Sequence, residues 1–164
     1  MLVAGISETV PEGEQATPVY YQLFTELFQY AGELGLNTEG RQLSADTSMD
    51  SGWKVNDAEV TIEAAVRLDW ACPEAGRVRV HTLPATRMMA CTIHHGDYDL
   101  LGQAYEALLR WTEANGYKVD GTNRHLYLQT GDTAADNITE VQYPVEKNSL
   151  PYILCSVSLD VAHS

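Results

Sequence analysis

Residues 77–116 read RVRVHTLPATRMMACTIHHGDYDLLGQAYEALLRWTEANG, and this run decides the fold. Arg77 to Thr82 alternates apolar and polar side chains, the period of a half-buried strand. Pro84 cannot donate to a ladder, so it belongs at an edge or a bend. Met88 to Ile93 resumes the strand. His95-Gly96-Asp97 then turns the chain, with Asp97 placed to cap a helix. Leu101, Ala104, Tyr105, Leu108, Trp111 and Thr112 follow at helical spacing and form one apolar stripe. Asn115-Gly116 ends the helix where a left-handed residue is needed. The whole reads as one long strand, a tight turn and one amphipathic helix near 98–115.

The N-terminal part repeats this plan. Leu2 to Ile6 predicts a strand, and Ser7 to Thr17 a polar loop. Thr17-Pro18 opens a helix near 18–34, since proline fits the first helical position. Tyr20, Leu23, Phe24, Leu27, Ala31 and Leu34 make its apolar stripe, and Gly35 stops it. A weak strand falls near Gln42 to Ala45. Glu59 to Leu68 alternates strictly, with Val60, Ile62, Ala64, Val66 and Leu68 on one face. The second copy matches, with MMACTIHHG, the helix, HLYLQT and TEVQYPV in the same order.

The fold expected is therefore α+β, with tandem duplicated β-α-β-β units spanning 1–70 and 77–146. Each copy has antiparallel strands and one long helix, and 1–164 forms a single domain. A helix with one stripe covers one sheet face. The spare faces of the two copies, turned together about a pseudo-two-fold axis, would make a ligand cleft. Residues 150–162 (LPYILCSVSLDVA) also alternate, which predicts an extra C-terminal strand.

Bulk properties narrow the function. The chain has 164 residues, enough for one domain with a sizeable core. Its formal net charge is −13, which repels phosphate backbones, so no direct nucleic-acid binding is expected. The same charge favours cationic ligands or serves solubility alone. No apolar run has the length of a membrane span. The first ten residues lack the pattern of a signal peptide. Cys72, Cys91 and Cys155 show no C-x-x-C spacing and read as reduced packing residues of a cytoplasmic protein. No metal set is completed around His94 and His95, and His95 is expected to fix the turn. No cofactor motif is present.

Several short pieces carry a family resemblance: His95-Gly96-x-Tyr98, the helix with Trp111, the Gly116-Tyr117 exit, Tyr127-Leu128, and Thr139-Glu140-Val141 ending in Pro144-Val145. In this order the run resembles the second half of a GyrI-like domain. That is the small-molecule-binding module of MerR-type and AraC-type multidrug regulators, also found as a free-standing protein. The resemblance implies binding of hydrophobic, often cationic, small molecules between the two halves, for sensing or sequestration. It leaves two alternatives open. Some free-standing members hydrolyse cyclopropane-containing DNA-alkylating natural products, and the family's name-giving member inhibits gyrase by binding it.

The chain departs from the family in two places. A strand usually leads into the first copy, and Met1 stands too close to Leu2 to supply it. The strand at 150–162 is expected to fill that edge, from the same chain or from the partner in a homodimer. The second departure is His125, which stands where the family commonly has an acidic residue.

Glu140 is the leading site residue. Val141, Tyr143 and Val145 should face the helices, so Glu140 should face the cleft. The resemblance makes it the acidic contact to a cationic ligand, or, in a hydrolase, the group that activates water, with Tyr127 as its catalytic partner. Tyr127, Trp111, Tyr98, Glu59 and Trp53 complete the expected ligand-binding set. For each of these a packing or surface role is the plain alternative.

Overall fold

The computed structural model describes residues 1–11, 16–46 and 59–148. The expected strand at 150–162 and Trp53 lie outside these residues. The chain orders as β1 (Leu2–Pro11), α1 (Ala16–Glu33), β2 (Gln42–Asp46), β3 (Glu59–Arg67), β4 (Arg79–Thr82), β5 (Met89–His95), α2 (Leu101–Ala114), β6 (Tyr117–Val119), β7 (Asn123–Gln129) and β8 (Ile138–Lys147). The strands form one 8-stranded sheet in the order β4-β1-β3-β2-β7-β8-β5, with β6 on β8, and every pairing is antiparallel.

Both helices lie on one face of the sheet. Leu23, Leu27, Tyr30 and Ala31 of α1 pack with Ala4, Ile6, Ile62, Ala64 and Val66. Ala104 and Leu108 of α2 pack with Ala90, Val141, Tyr143 and Val145. Leu23 and Leu27 are fully buried, so truncating either to Ala should cost about 2–5 kcal/mol. The helices thus cover the two outer parts of the sheet. Among the described residues no helix lies over the middle, where β2 meets β7.

β1 runs further than expected. Ser7 to Pro11 stays in register opposite Glu63 to Glu59, and Thr9 and Thr61 share a side-chain hydrogen bond of 3.2 Å. The polar residues expected in a loop are the outward positions of a continuing strand.

The long strand expected across 77–93 is two strands on opposite edges of the sheet. Arg79 to Gly5 and Thr82 to Leu2 set the β4–β1 register. β4 therefore occupies the β1 edge that the C-terminal strand was expected to fill. Pro84 ends β4, and the chain then crosses the back of the sheet to β5. Leu83 is buried there with Val3, Leu43 and Ala65. Arg124 Nη2 donates to the Pro84 carbonyl at 3.0 Å. Six inter-strand steps of ~4.8 Å would separate β4 from β5 by about 29 Å in a flat sheet, while the seven Cα steps from Thr82 to Met89 reach about 25 Å at most. The sheet must therefore bow or coil to let the crossing segment close.

Turn chemistry behaves as the residues dictate. The Asp97 carboxylate accepts from Asp99 N at 3.0 Å, capping a 3-10 turn at Tyr98–Leu100 that leads into α2. Gly116 takes φ 72° at the helix exit, where a Cβ would be strained. The residue that braces the turn is His94, whose Nε2 donates to the Asp97 carbonyl at 2.8 Å, rather than His95.

Candidate functional site

A cavity of about 520 Å³ opens over the β2–β7 junction, between α1 and α2. Its walls follow from the two stripes. Tyr20, Tyr21, Phe24 and Phe28 come from α1, and Leu101, Gly102 and Tyr105 from α2, with Tyr98 from the turn before it. Gln42, Ile62, His125 and Tyr127 of the sheet form the floor. Seven of the lining side chains are Tyr or Phe rings, and none of the described lining residues is an Asp, Glu, Lys or Arg.

Tyr127 is held at the centre. Phe24 meets it edge-on at 5.6 Å and Tyr98 meets it edge-on at 5.5 Å, ring centre to ring centre. Such pairs add about 0.5–1.5 kcal/mol beyond area burial. Behind the floor sits Ser44 of β2, fully buried. Its hydroxyl lies 2.8 Å from His125 Nδ1 and 3.0 Å from the Tyr127 hydroxyl. Tyr105 packs edge-on against the His125 ring at 5.2 Å. Burial pushes His125 down to about 4, so its ring is neutral at pH 7. Burial likewise pushes the Tyr127 phenol up to about 12, which keeps it protonated. His125 Nε2 is buried and has no hydrogen-bond partner among the described residues.

Glu140 stands elsewhere. The register pairs Tyr127 with Thr139, His125 with Val141, and Leu126 with Glu140. Residues paired across antiparallel strands share a sheet face. Glu140 therefore lies with Leu126 and Ile93 on the face away from the helices, and Tyr127 lies on the other. It accepts from Gln142 Nε2 at 3.0 Å and neighbours Cys91. Burial, and then the Glu140 carboxylate, push the Cys91 thiol up to about 11. The expectation that Glu140 floors the aromatic cleft is corrected by this register.

The remaining expected residues divide as follows. Tyr98 and Tyr127 line the cavity. Trp111 is 49% exposed and stacks on Tyr117 at 5.6 Å, at the exit of α2 and outside the lining. Glu59 begins β3 opposite Pro11. Glu140, Tyr127 and Trp111, the set on which the hydrolase alternative rested, are not brought together. Sequence reasoning put His125 on the cleft face with Tyr127, but did not place Phe24, Tyr105 or Ser44 at the site. For Phe24 and Tyr105 the signal was present, since both stand on apolar stripes. Nothing in the sequence marks the Ser44–His125 pairing, which depends on how β2 meets β7.

The GyrI-like small molecule binding domain family matches residues 1–146, and the chain belongs to that family. Among solved structures, the EcmrR–DNA complex is 26% identical with a TM-score of 0.67, and the match covers 89% of this chain and 54% of EcmrR. The chain thus spans about half of the length of EcmrR. The isolated EcmrR C-terminal domain is also 26% identical, with a TM-score of 0.59 and coverage of 89% and 91%. SAV2435, solved bound to tetraphenylphosphonium, is 18% identical with a TM-score of 0.60 and coverage of 89% and 88%, a likeness of fold. Comparison with curated protein sequences finds no match. No helix among the described residues is long and apolar enough to cross a membrane.

Proposed function

We propose that this domain captures hydrophobic, aromatic small molecules in the cavity between α1 and α2, as the effector-binding part of a regulator or as a sequestering protein. The observation that carries the reading is the cavity itself: about 520 Å³, walled by seven aromatic rings and floored by a neutral polar pair. That volume suits a drug-sized ligand, and ring walls accept flat apolar molecules without demanding one geometry.

The tandem duplication belongs to the same reading. Strand order β1-β3-β2 runs inward to the junction as β5-β8-β7 does from the other side, with one helix over each half. Two such halves meeting at β2 and β7 leave a gap between their helices, and the cavity occupies it. EcmrR, whose DNA complex is solved, supports the effector-domain role, and SAV2435 with its tetraphenylphosphonium supports capture of bulky aromatic molecules by this fold.

The test is calorimetric titration with tetraphenylphosphonium and triphenylphosphine oxide, repeated on Gly102→Trp. Gly102 lines the cavity, and a side chain started there meets no atom within 4 Å. The variant should fold normally and lose binding. Binding of neither compound by the native domain, or undiminished binding by the variant, would refute the reading.

A further inference from the structure

The cavity floor holds a three-member hydrogen-bond relay. Ser44 Oγ sits between His125 Nδ1 at 2.8 Å and Tyr127 Oη at 3.0 Å. The relay can be polarised in two senses. If Tyr127 donates to Ser44 and Ser44 to His125 Nδ1, then Nε2 carries the proton and is a donor. If His125 Nδ1–H donates to Ser44 and Ser44 to Tyr127, the phenol proton becomes free to donate and Nε2 accepts. Only the second sense presents a hydrogen-bond donor to the cavity, the Tyr127 hydroxyl. His125 Nε2 is itself buried and has no protein partner among the described residues, so in the first sense its proton is left unbonded, which favours the second.

The described residues that line the cavity around this relay are mostly apolar and carry no charge. The described lining residues include no carboxylate, and Glu140 is on the far sheet face. A cation entering the cavity gives up water and finds, among the described lining residues, ring faces and no carboxylate, and a ring face is a weaker partner than a buried carboxylate. The overall charge of −13 acts at long range and is screened by salt. A neutral molecule pays no such desolvation.

We propose that the relay makes the cavity selective for neutral aromatic molecules bearing one hydrogen-bonding oxygen, and that His125 is the residue that sets this preference. The inference rests on the cavity being the small-molecule site. An oxygen that accepts from the Tyr127 hydroxyl holds the relay in its second sense, with His125 Nδ1–H donating to Ser44. The rings hold the rest of the molecule.

Triphenylphosphine oxide and tetraphenylphosphonium test this directly. They share the phenyl-phosphorus body, and differ in one accepting oxygen and one positive charge. The native domain should bind the oxide about tenfold or more tightly than the cation, as expected when a buried charge lacks a partner. Ser44→Ala removes the centre of the relay with little change of volume. It should weaken the oxide about five- to tenfold and leave the cation unchanged. His125→Glu should reverse the order of the two ligands. Tighter binding of the cation by the native domain overturns the proposal, as does equal weakening of both ligands by Ser44→Ala. If His125→Glu does not fold by circular dichroism, Ser44→Ala decides the matter. If the native domain binds neither compound, the cavity reading itself falls and this proposal with it.

Discussion

Ser44 and His125 stand directly opposite each other where β2 meets β7, joined by a 2.8 Å hydrogen bond although 81 residues separate them in the chain. The bond fixes the imidazole at the cavity floor, where it is largely shielded from water. That burial has a consequence for stability. The ring's ordinary value of 6.5 drops to about 4 in the folded chain. Above pH 6.5 the ring is neutral both folded and unfolded. Below it the unfolded chain takes up a proton that the folded chain refuses. Stability is therefore lost as pH falls from 6.5 towards 4, by about 2–3 kcal/mol at pH 4.5 from this group alone. Urea unfolding at pH 7 and pH 4.5 should show the native protein losing that much more than His125→Gln. Equal losses would mean that the ring titrates freely.

A second prediction concerns Cys91. Its thiol sits up at about 11, first through burial and then through the neighbouring Glu140 carboxylate. Alkylation by iodoacetamide at pH 8, followed at this cysteine by mass spectrometry, should be slow, because the thiolate is the nucleophile. Glu140→Gln removes the negative neighbour and should speed it several-fold. The same substitution should leave the affinity of the cavity for either phenyl-phosphorus probe within about twofold, since mutations remote from a contact are near neutral. A clear loss of affinity would place Glu140 at the ligand after all.

Gly5 is the third. It lies in β1 beneath the Glu63 carboxylate, and a Cβ there would come within 2.2 Å of Glu63 Oε1. Glu63 is only 6% exposed and bonds His81 Nε2 at 2.5 Å. Gly5→Ala must push that carboxylate off its histidine. The melting temperature should fall, with a loss of about 1–3 kcal/mol. An unchanged melting temperature would show that Glu63 has another buried place to go.

A fourth prediction separates the aromatic residues. Phe24→Ala removes one of the two rings held against Tyr127 and should weaken triphenylphosphine oxide by about tenfold. Trp111→Ala takes away a ring that is 49% exposed and stacks on Tyr117. It should lower stability by less than about 1 kcal/mol and leave affinity alone. Loss of binding in Trp111→Ala with none in Phe24→Ala would move the ligand to the far side of α2.

Local structure was legible wherever one residue decides it. Pro84 broke its strand, Asp97 capped its turn, and Gly116 took the left-handed exit of α2. The apolar stripes named the helix faces, because periodicity reports which side of an element is dry. What escaped was the relation between elements. Alternation along β7 puts His125 and Tyr127 on one face, and alternation along β8 puts Glu140 opposite Val141. Only the register that pairs Leu126 with Glu140 shows that these two polar sets face apart. A strand's own sequence carries its period but not its partner's phase. The same gap explains β4. Arg79 to Thr82 reads as a strand from its own residues, but nothing there shows that its partner is β1 and not β5.

The placement of β4 also sets a timetable for synthesis. Thr82, the partner of Leu2, leaves the ribosome 80 residues after it. At roughly 5–20 residues per second, β1 waits about 4–16 seconds with one side unpaired. β2 waits about as long for its second neighbour, β7, which begins only at Asn123. The cavity floor is therefore among the last parts of the sheet to exist. A nascent chain that stalls between β4 and β7 carries an amphipathic α1, its aromatic residues without the floor they were made to face, and an open β2 edge beside them.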